Sequence, residues 1–143
     1  PNYWSGYRKK LIDMRLDLED YEEQPTNVLP NFTARAKELM PGLQTHGCSY
    51  GEDGGFLRRL DEGTWAGHAI EHFALELQTM AGMDVGYGRT RETKAKGVYH
   101  VVFAYQEEEA GRYAARAATR LFEEIASGKL LDEIKTNLVA DVQ

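Results

Sequence analysis

The chain has 143 residues, enough for one domain with a single hydrophobic core, and its 42% apolar and 28% charged content is ordinary for a soluble globular protein. Its net charge of −6 argues against nonspecific nucleic-acid binding, which needs a basic footprint, and favours a cationic ligand if it favours any. No stretch approaches the roughly 20 apolar residues of a membrane span, and no charged-then-apolar leader opens the sequence. A single cysteine excludes an intrachain disulfide and fits a reducing, cytoplasmic setting.

In chain order, Lys10 to Leu18 alternates Ile12, Met14, Leu16 and Leu18 against Asp13, Arg15 and Asp17, the pattern of a half-buried strand. Asp20 to Pro30 is acidic, contains Pro25 and ends on Pro30, and reads as a loop. Asn31 is expected to cap a short helix through Met40 that stops at Pro41-Gly42. Leu43 to Tyr50 is read as a short strand, and Gly51 to Gly55 as a flexible turn. Phe56 to Leu60 is read as a short helix closed by Gly63. Thr64 is expected to cap a long helix running to Met80 and ended by Gly82. Val85 to Thr93 and Gly97 to Tyr105 read as two strands of a hairpin joined by Lys94-Ala95-Lys96. Glu107 to Ala126 is a helix with acids in its first turn, and Leu130 to Val142 reads as a last amphipathic helix. Interleaved helices and strands with an adjacent strand pair give an α+β single domain, a mostly antiparallel sheet with packed helices.

The most specific chemistry lies in Gly67-His68-Ala69-Ile70-Glu71-His72, which contains H-x-x-E-H, the inverted zincin motif, within helical sequence. Two imidazoles four residues apart stack on one helix face and can grip a Zn²⁺ from one side, and Glu71 beside them can take a proton from its water. The motif fixes only three positions in five, so two surface imidazoles beside a solvated Glu is the competing reading. A helical wheel puts Ile70, Phe73, Ala74, Leu77 and Ala81 on one apolar stripe at about 100° per residue. His68 and His72 fall on nearly the opposite side with Trp65 and Leu75, which predicts a cleft or a second packing layer there rather than bare surface. A catalytic zinc needs a third protein ligand. His46 and Cys48 are the candidates, two apart in Thr45-His46-Gly47-Cys48, with a small buried thiol the alternative for Cys48. Glu76 and Glu92 are fallbacks, though Glu76 lies about 80° round the wheel from His68. His100 reads as packed or hydrogen-bonded within its strand. Gly86-Tyr87-Gly88 precedes a strand rather than a helix and fails the context test for a dinucleotide loop, and no P-loop pattern occurs. Arg89 and Arg91, two apart on one strand face, can bind a carboxylate, a solvated strand edge being the plainer reading.

Several blocks are familiar together and in this order. They are Pro-Asn-Tyr-Trp-Ser at the start, Leu-Asp-Leu-Glu from Leu16, and Gly-Thr-Trp-Ala-Gly-His-Ala-Ile-Glu-His-Phe-Ala-Leu-Glu-Leu-Gln from Gly63. Ala-Gly-Met-Asp-Val-Gly-Tyr-Gly-Arg-Thr-Arg-Glu from Ala81 and Gly-Val-Tyr-His-Val-Val-Phe from Gly97 follow. Over nearly its whole length the chain, 1–143, resembles the N-terminal domain of cyanophycin synthetases. The resemblance implies a module that holds a polymer with a poly-aspartate backbone and arginine on each side-chain carboxylate. ATP-grasp and Mur-ligase-like domains, absent from this chain, carry the two ligations with ATP and Mg²⁺, and the full enzyme is expected to be a homo-oligomer. In some members of the family this domain looks like a metallohydrolase that trims polymer into primers through a metal-bound water. The resemblance maps that site onto His68, Glu71 and His72, with Cys48 as third ligand and His46 as the alternative. The rival implication is a non-catalytic tether whose histidines are vestigial or structural. No nucleic acid and no membrane is expected among its partners.

Overall fold

Alternation and helical periodicity each find their counterpart in the computed structural model, which describes residues 11–17, 26–29, 31–46, 53–83, 85, 88–92, 98–127 and 133–134. The alternating segment forms β1, Leu11–Asp17, and the later pair forms β2, Gly88–Glu92, and β3, Val98–Ala104. All pairings among them are antiparallel, in the order β1-β3-β2. The register aligns Ile12 with Phe103 and Gly88, and Met14 with Val101 and Thr90. Because side chains alternate between faces, these rows share one face of the sheet, while Asp13, Arg15, Arg89 and Arg91 share the other and are exposed.

The inner face is covered by helices. α1 spans Phe32–Leu39, α2 Gly55–Glu62, α3 Ala66–Met80 and α4 Glu108–Ala126. α3 lies against β2, β3 and α4, and is the central helix. The core joins Leu16, Val101 and Phe103 of the sheet to Phe32, Phe56, Ile70, Phe73, Leu121 and Phe122 of the helices. Phe32 packs between Phe73, with ring centroids 6.1 Å apart, and Phe122, at 5.2 Å, which ties α1 to both long helices. This is the α+β architecture of one small domain, with an antiparallel sheet and packed helices.

Local departures from expectation have physical causes. The Leu43 to Tyr50 strand is not formed over its described part: Pro41–Thr45 is a 3-10 turn, with Thr45 donating its hydroxyl to the Gly42 carbonyl, and only His46 is extended. Pro41 fixes a helical φ at the turn's first residue, which overrides the apolar pattern. Asn31 does stand at the N-terminus of α1, but through a left-handed backbone (φ 55°) and not through a side-chain cap. Thr64 does not cap α3. Trp65 holds that position, and the Thr64 hydroxyl is engaged by His68 instead. The hairpin loop 94–96, the Gly51-Glu52 end of the turn and most of the Asp20 to Pro30 loop lie outside the described residues. So does the last helix, except Glu133 and Ile134, which are helical, with Ile134 fully buried.

Candidate functional site

α3 is buried almost all round. Its apolar stripe faces the sheet and α4, and its opposite side meets the Pro41–Thr45 turn and the Phe56 ring of α2. That second layer is the one the wheel anticipated. It places His72 and Glu76 at 8% and 3% exposure, unusual for such residues unless they are partnered.

Phe56 of α2 organises the imidazoles. Its ring stacks on His72 at 4.0 Å and 15°, and meets His68 edge-on at 5.7 Å. The two motif rings lie 4.8 Å apart, as i and i+4 residues should. Each has a partner at Nδ1. His68 Nδ1 is 3.0 Å from the Thr64 hydroxyl, and His72 Nδ1 is 2.9 Å from His46 Nδ1. Thr64 is in turn pinned, its N–H donating to the Thr26 hydroxyl, which itself donates to the Leu60 carbonyl at 2.7 Å. His46 has its other nitrogen, Nε2, 3.0 Å from Glu76 Oε1.

Glu71 points from α3 toward β2. Its Oε1 accepts a 2.7 Å hydrogen bond from Thr90, and its Oε2 is 3.9 Å from His72 Nε2. Gly88 faces it across the sheet: a Cβ there would lie 2.8 Å from the Glu71 carboxylate, so the strand can approach this closely only without a side chain. Burial raises the Glu71 carboxyl above its ordinary value, against the opposing pull of the Thr90 hydrogen bond and the charges of Arg89 and His46. Burial acts oppositely on the imidazoles. It pushes His68 down to about 4, helped by the charge of Arg59, and His72 further still, helped by His68 and His46. Neutral imidazoles are the form that binds a metal, and burial favours that form in both His68 and His72.

The sequence candidates divide into three groups. His68, Glu71 and His72 come together with His46. Cys48 lies outside the described residues. Arg89 and Arg91 sit exposed on the sheet face opposite Thr90 and Glu71, and do not converge with the histidines. Among the described residues, no three His, Cys, Asp or Glu side chains are arranged to hold a metal ion. The motif pair nevertheless suits one. Each ring is oriented at Nδ1, His68 by Thr64 and His72 by His46, and an oriented Nδ1 is the usual support of a metal-binding histidine. Sequence reasoning missed Phe56, Thr90 and Thr64 as parts of the site. Period 2 in β2 carried a signal for Thr90: as the residue between Arg89 and Arg91 it must face the other way, toward the helices. The fallback Glu76 is i+4 from His72, yet it meets His72 only through His46.

A small α+β domain whose central buried helix carries H-x-x-E-H, braced by a hydroxyl from an edge strand, defines the class of fold and site. Residues 13–127 match the family model of the cyanophycin synthase-like N-terminal domain, and the chain belongs to that family. It is 54% identical over 140 residues to a cyanophycin synthetase of Geminocystis herdmanii, covering 96% of this chain and 16% of that protein. It is 59% identical over 121 residues to that of Crocosphaera subtropica, and 58% over 121 residues to that of a Synechocystis strain, in each case 85% of this chain and 14% of the relative. The chain therefore spans about one-sixth or less of the length of these relatives. Among the described residues no helix is long and apolar enough to cross a membrane.

Proposed function

We propose that the chain is the polymer-binding N-terminal part of an ATP-dependent, cytoplasmic cyanophycin synthetase, and that its α3 site hydrolyses the polymer it holds to make primers. Family membership supports the first half. The second half is carried by one observation, the buried Glu71 carboxyl held by Thr90 at 3.9 Å from His72 Nε2. Elongation of multi-L-arginyl-poly-L-aspartate, with ATP and Mg²⁺, belongs in this reading to ATP-grasp and Mur-ligase-like domains of a full, homo-oligomeric protein. Arg89 and Arg91 are proposed contacts for the carboxylates of the polymer's arginyl groups.

In the hydrolytic site, Nε2 of His68 and His72 together with the Cys48 thiolate would hold Zn²⁺. Bound there, zinc would polarise the scissile carbonyl and make the attacking water acidic near neutral pH. Glu71 takes the proton of that water on its free oxygen Oε2, while Thr90 keeps Oε1 fixed. It then passes the proton to the departing amide nitrogen, so water is added across the cleaved bond and Glu71 is regenerated. Phe56 keeps the imidazole planes oriented and solvent away from them.

A second reading also has an observation in its favour. The Glu76–His46–His72 chain is a complete hydrogen-bond network that satisfies buried polar groups without any ion, as a structural, non-catalytic tether would need. One experiment separates the two. Purified cyanophycin is incubated with zinc-supplemented wild type and with Glu71→Gln, and product sizes are compared. Loss of about 10²–10⁴-fold in cleavage with polymer and zinc binding retained is the expected result. Equal cleavage by both removes Glu71 from the chemistry. Bound polymer with no cleavage by either, and no zinc taken up, leaves the tether.

A further inference from the structure

We propose that the groove between β1 and α4 docks an extended acidic peptide of a partner protein, which adds a strand to the free edge of β1 and sets its carboxylates on the arginines of α4. One wall of the groove includes every residue from Ile12 to Leu16. Side chains of a strand alternate between its faces, so a wall made of five consecutive residues is the edge of the strand and not one face of it. Among the described residues β1 pairs only with β3, and its other edge is open. Such an edge turns unpaired N–H and C=O groups outward, which is the template that strand addition uses.

The opposite wall supplies the charge. Arg112, Arg116 and Arg120 stand four residues apart on α4, all exposed and all bordering the groove. Four residues of helix rise about 6 Å, and alternate residues of an extended strand lie about 6.6 Å apart. Side chains on one face of a docked strand therefore meet the three arginines nearly in step. Arg15 adds a fourth guanidinium from the β1 side, while Asp13 and Glu123 are the acids of the lining, and Asp13 is engaged by His100 at 2.9 Å. Four arginines against two carboxylates leave the groove cationic in a chain whose net charge is −6. Arg112 and Arg120 pair with Glu108 and Glu124 of their own helix, whereas Arg15 and Arg116 meet no acid among the described residues. An arginine fork matches a carboxylate with two parallel hydrogen bonds, so these two are the strongest points for an acidic partner. Between the walls, half-buried Ile12 and Met14 form an apolar floor, held to α4 by the Thr119 hydroxyl, which donates to the Met14 sulfur at 3.8 Å. None of these residues belongs to the α3 site, so docking here stands apart from hydrolysis there.

The test is fluorescence anisotropy of the 143-residue chain with a labelled decapeptide of alternating Asp and Thr, together with amide hydrogen exchange of the complex. Wild type should bind this peptide more tightly than a peptide of the same composition with its Asp and Thr in two blocks, and should ignore alternating Lys and Thr. Arg116→Glu and Arg15→Glu should each weaken binding about 10–100-fold, the loss of a hydrogen bond to a charged group. Both side chains are exposed, so the reversals leave the fold in place, which a melt of each variant checks. Arg58→Glu, on α2 and outside the groove, should bind as wild type does. Binding should also slow exchange of amides within Ile12–Leu16, a change that attraction to α4 alone would not produce. No binding by wild type, equal binding of the block peptide, unchanged affinity in folded Arg116→Glu, or binding without protection of β1 each overturns the proposal. So does purified cyanophycin held through Arg116 by a chain that ignores the peptide, which would assign the groove to the polymer.

Discussion

α3 and α4 are neighbouring helices that both carry ionisable side chains, and they use them in opposite ways. On α4 most of the charges line the exposed face: Arg112 pairs with Glu108 at 2.9 Å, side chains 65% and 58% exposed, in the i,i+4 arrangement of a solvated helix. On α3, Glu71, His72 and Glu76 are all buried, each with a named partner on another element. Surface ion pairs of the first kind are nearly neutral for stability, whereas a charge of the second kind imposes a desolvation penalty that only matched partners offset. A fold that sinks three ionisable groups into one helix gives up stability there, and such positions are where function is expected.

The largest effect that sharpens this contrast is expected at Phe56. Its ring is fully buried and supports both motif histidines, so Phe56→Ala should lower unfolding free energy by about 3–5 kcal/mol. Denaturant melts of the metal-free chain read it directly. A loss under about 1 kcal/mol would mean that the imidazole layer collapses into the gap and is not a built structure.

How much of this was legible beforehand differs between the same two helices. α4 follows from its periodicity and its acidic first turn, and its boundaries at Glu108 and Ala126 fall within a residue of the expected ones, because propensity and burial agree along it. The extent of α3 was equally legible, as was the need for a covering layer on its histidine side. What covers that side was not. Thr64 looks like a helix cap in sequence, but its hydroxyl goes to His68, and Trp65 begins the helix. The segment carrying His46 looks like a strand, yet its first part is a 3-10 turn that brings His46 to His72 across 26 positions of sequence. Such contacts depend on how α2 and the turn dock on α3, a tertiary event that leaves no local period. His100 was the easier case: a polar residue on the outer sheet face finds its diagonal cross-strand neighbour Asp13 at 2.9 Å.

A pH titration breaks or supports the comparison with an intermediate effect. His68 and His72 titrate lower in the fold than in the unfolded chain, so between their ordinary 6.5 and the folded value, about 4 for His68, the unfolded state holds more protons. Stability from these two groups is fully present above pH 6.5 and is lost as pH falls through that window, by at most roughly 1.4 kcal/mol per pH unit for each proton. Glu71 works against them. Its folded value is raised above 4.5, so its contribution is present at low pH and is lost as pH rises through the folded value. The two imidazoles predict that the metal-free chain weakens on acidification through this window. α4 contains no histidine. Replacing His68 and His72 together by Gln should therefore flatten the curve across the window, and an unflattened curve would move the pH sensitivity away from α3.

The smallest effect is expected on α4 itself. Arg112→Ala removes an exposed i,i+4 pair with Glu108, for which a loss of about 0.3–0.5 kcal/mol is usual and salt should erase most of it. The aliphatic stem of Arg112 also borders the groove between β1 and α4, beside Ile12, Met14 and Ala115, and can shield some of their apolar surface. Arg112→Lys separates the two contributions, since it keeps a charge and most of the stem but not the planar guanidinium. Melts at low and high salt should give nearly the same stability for wild type and Lys, with Ala slightly lower at low salt only. A salt-independent loss above about 1 kcal/mol in Ala, restored by Lys, would assign Arg112 to packing of the groove. The polar face of α4 would then be structural, as that of α3 is, and the contrast between the two helices would narrow to the hydrogen-bonded groups alone.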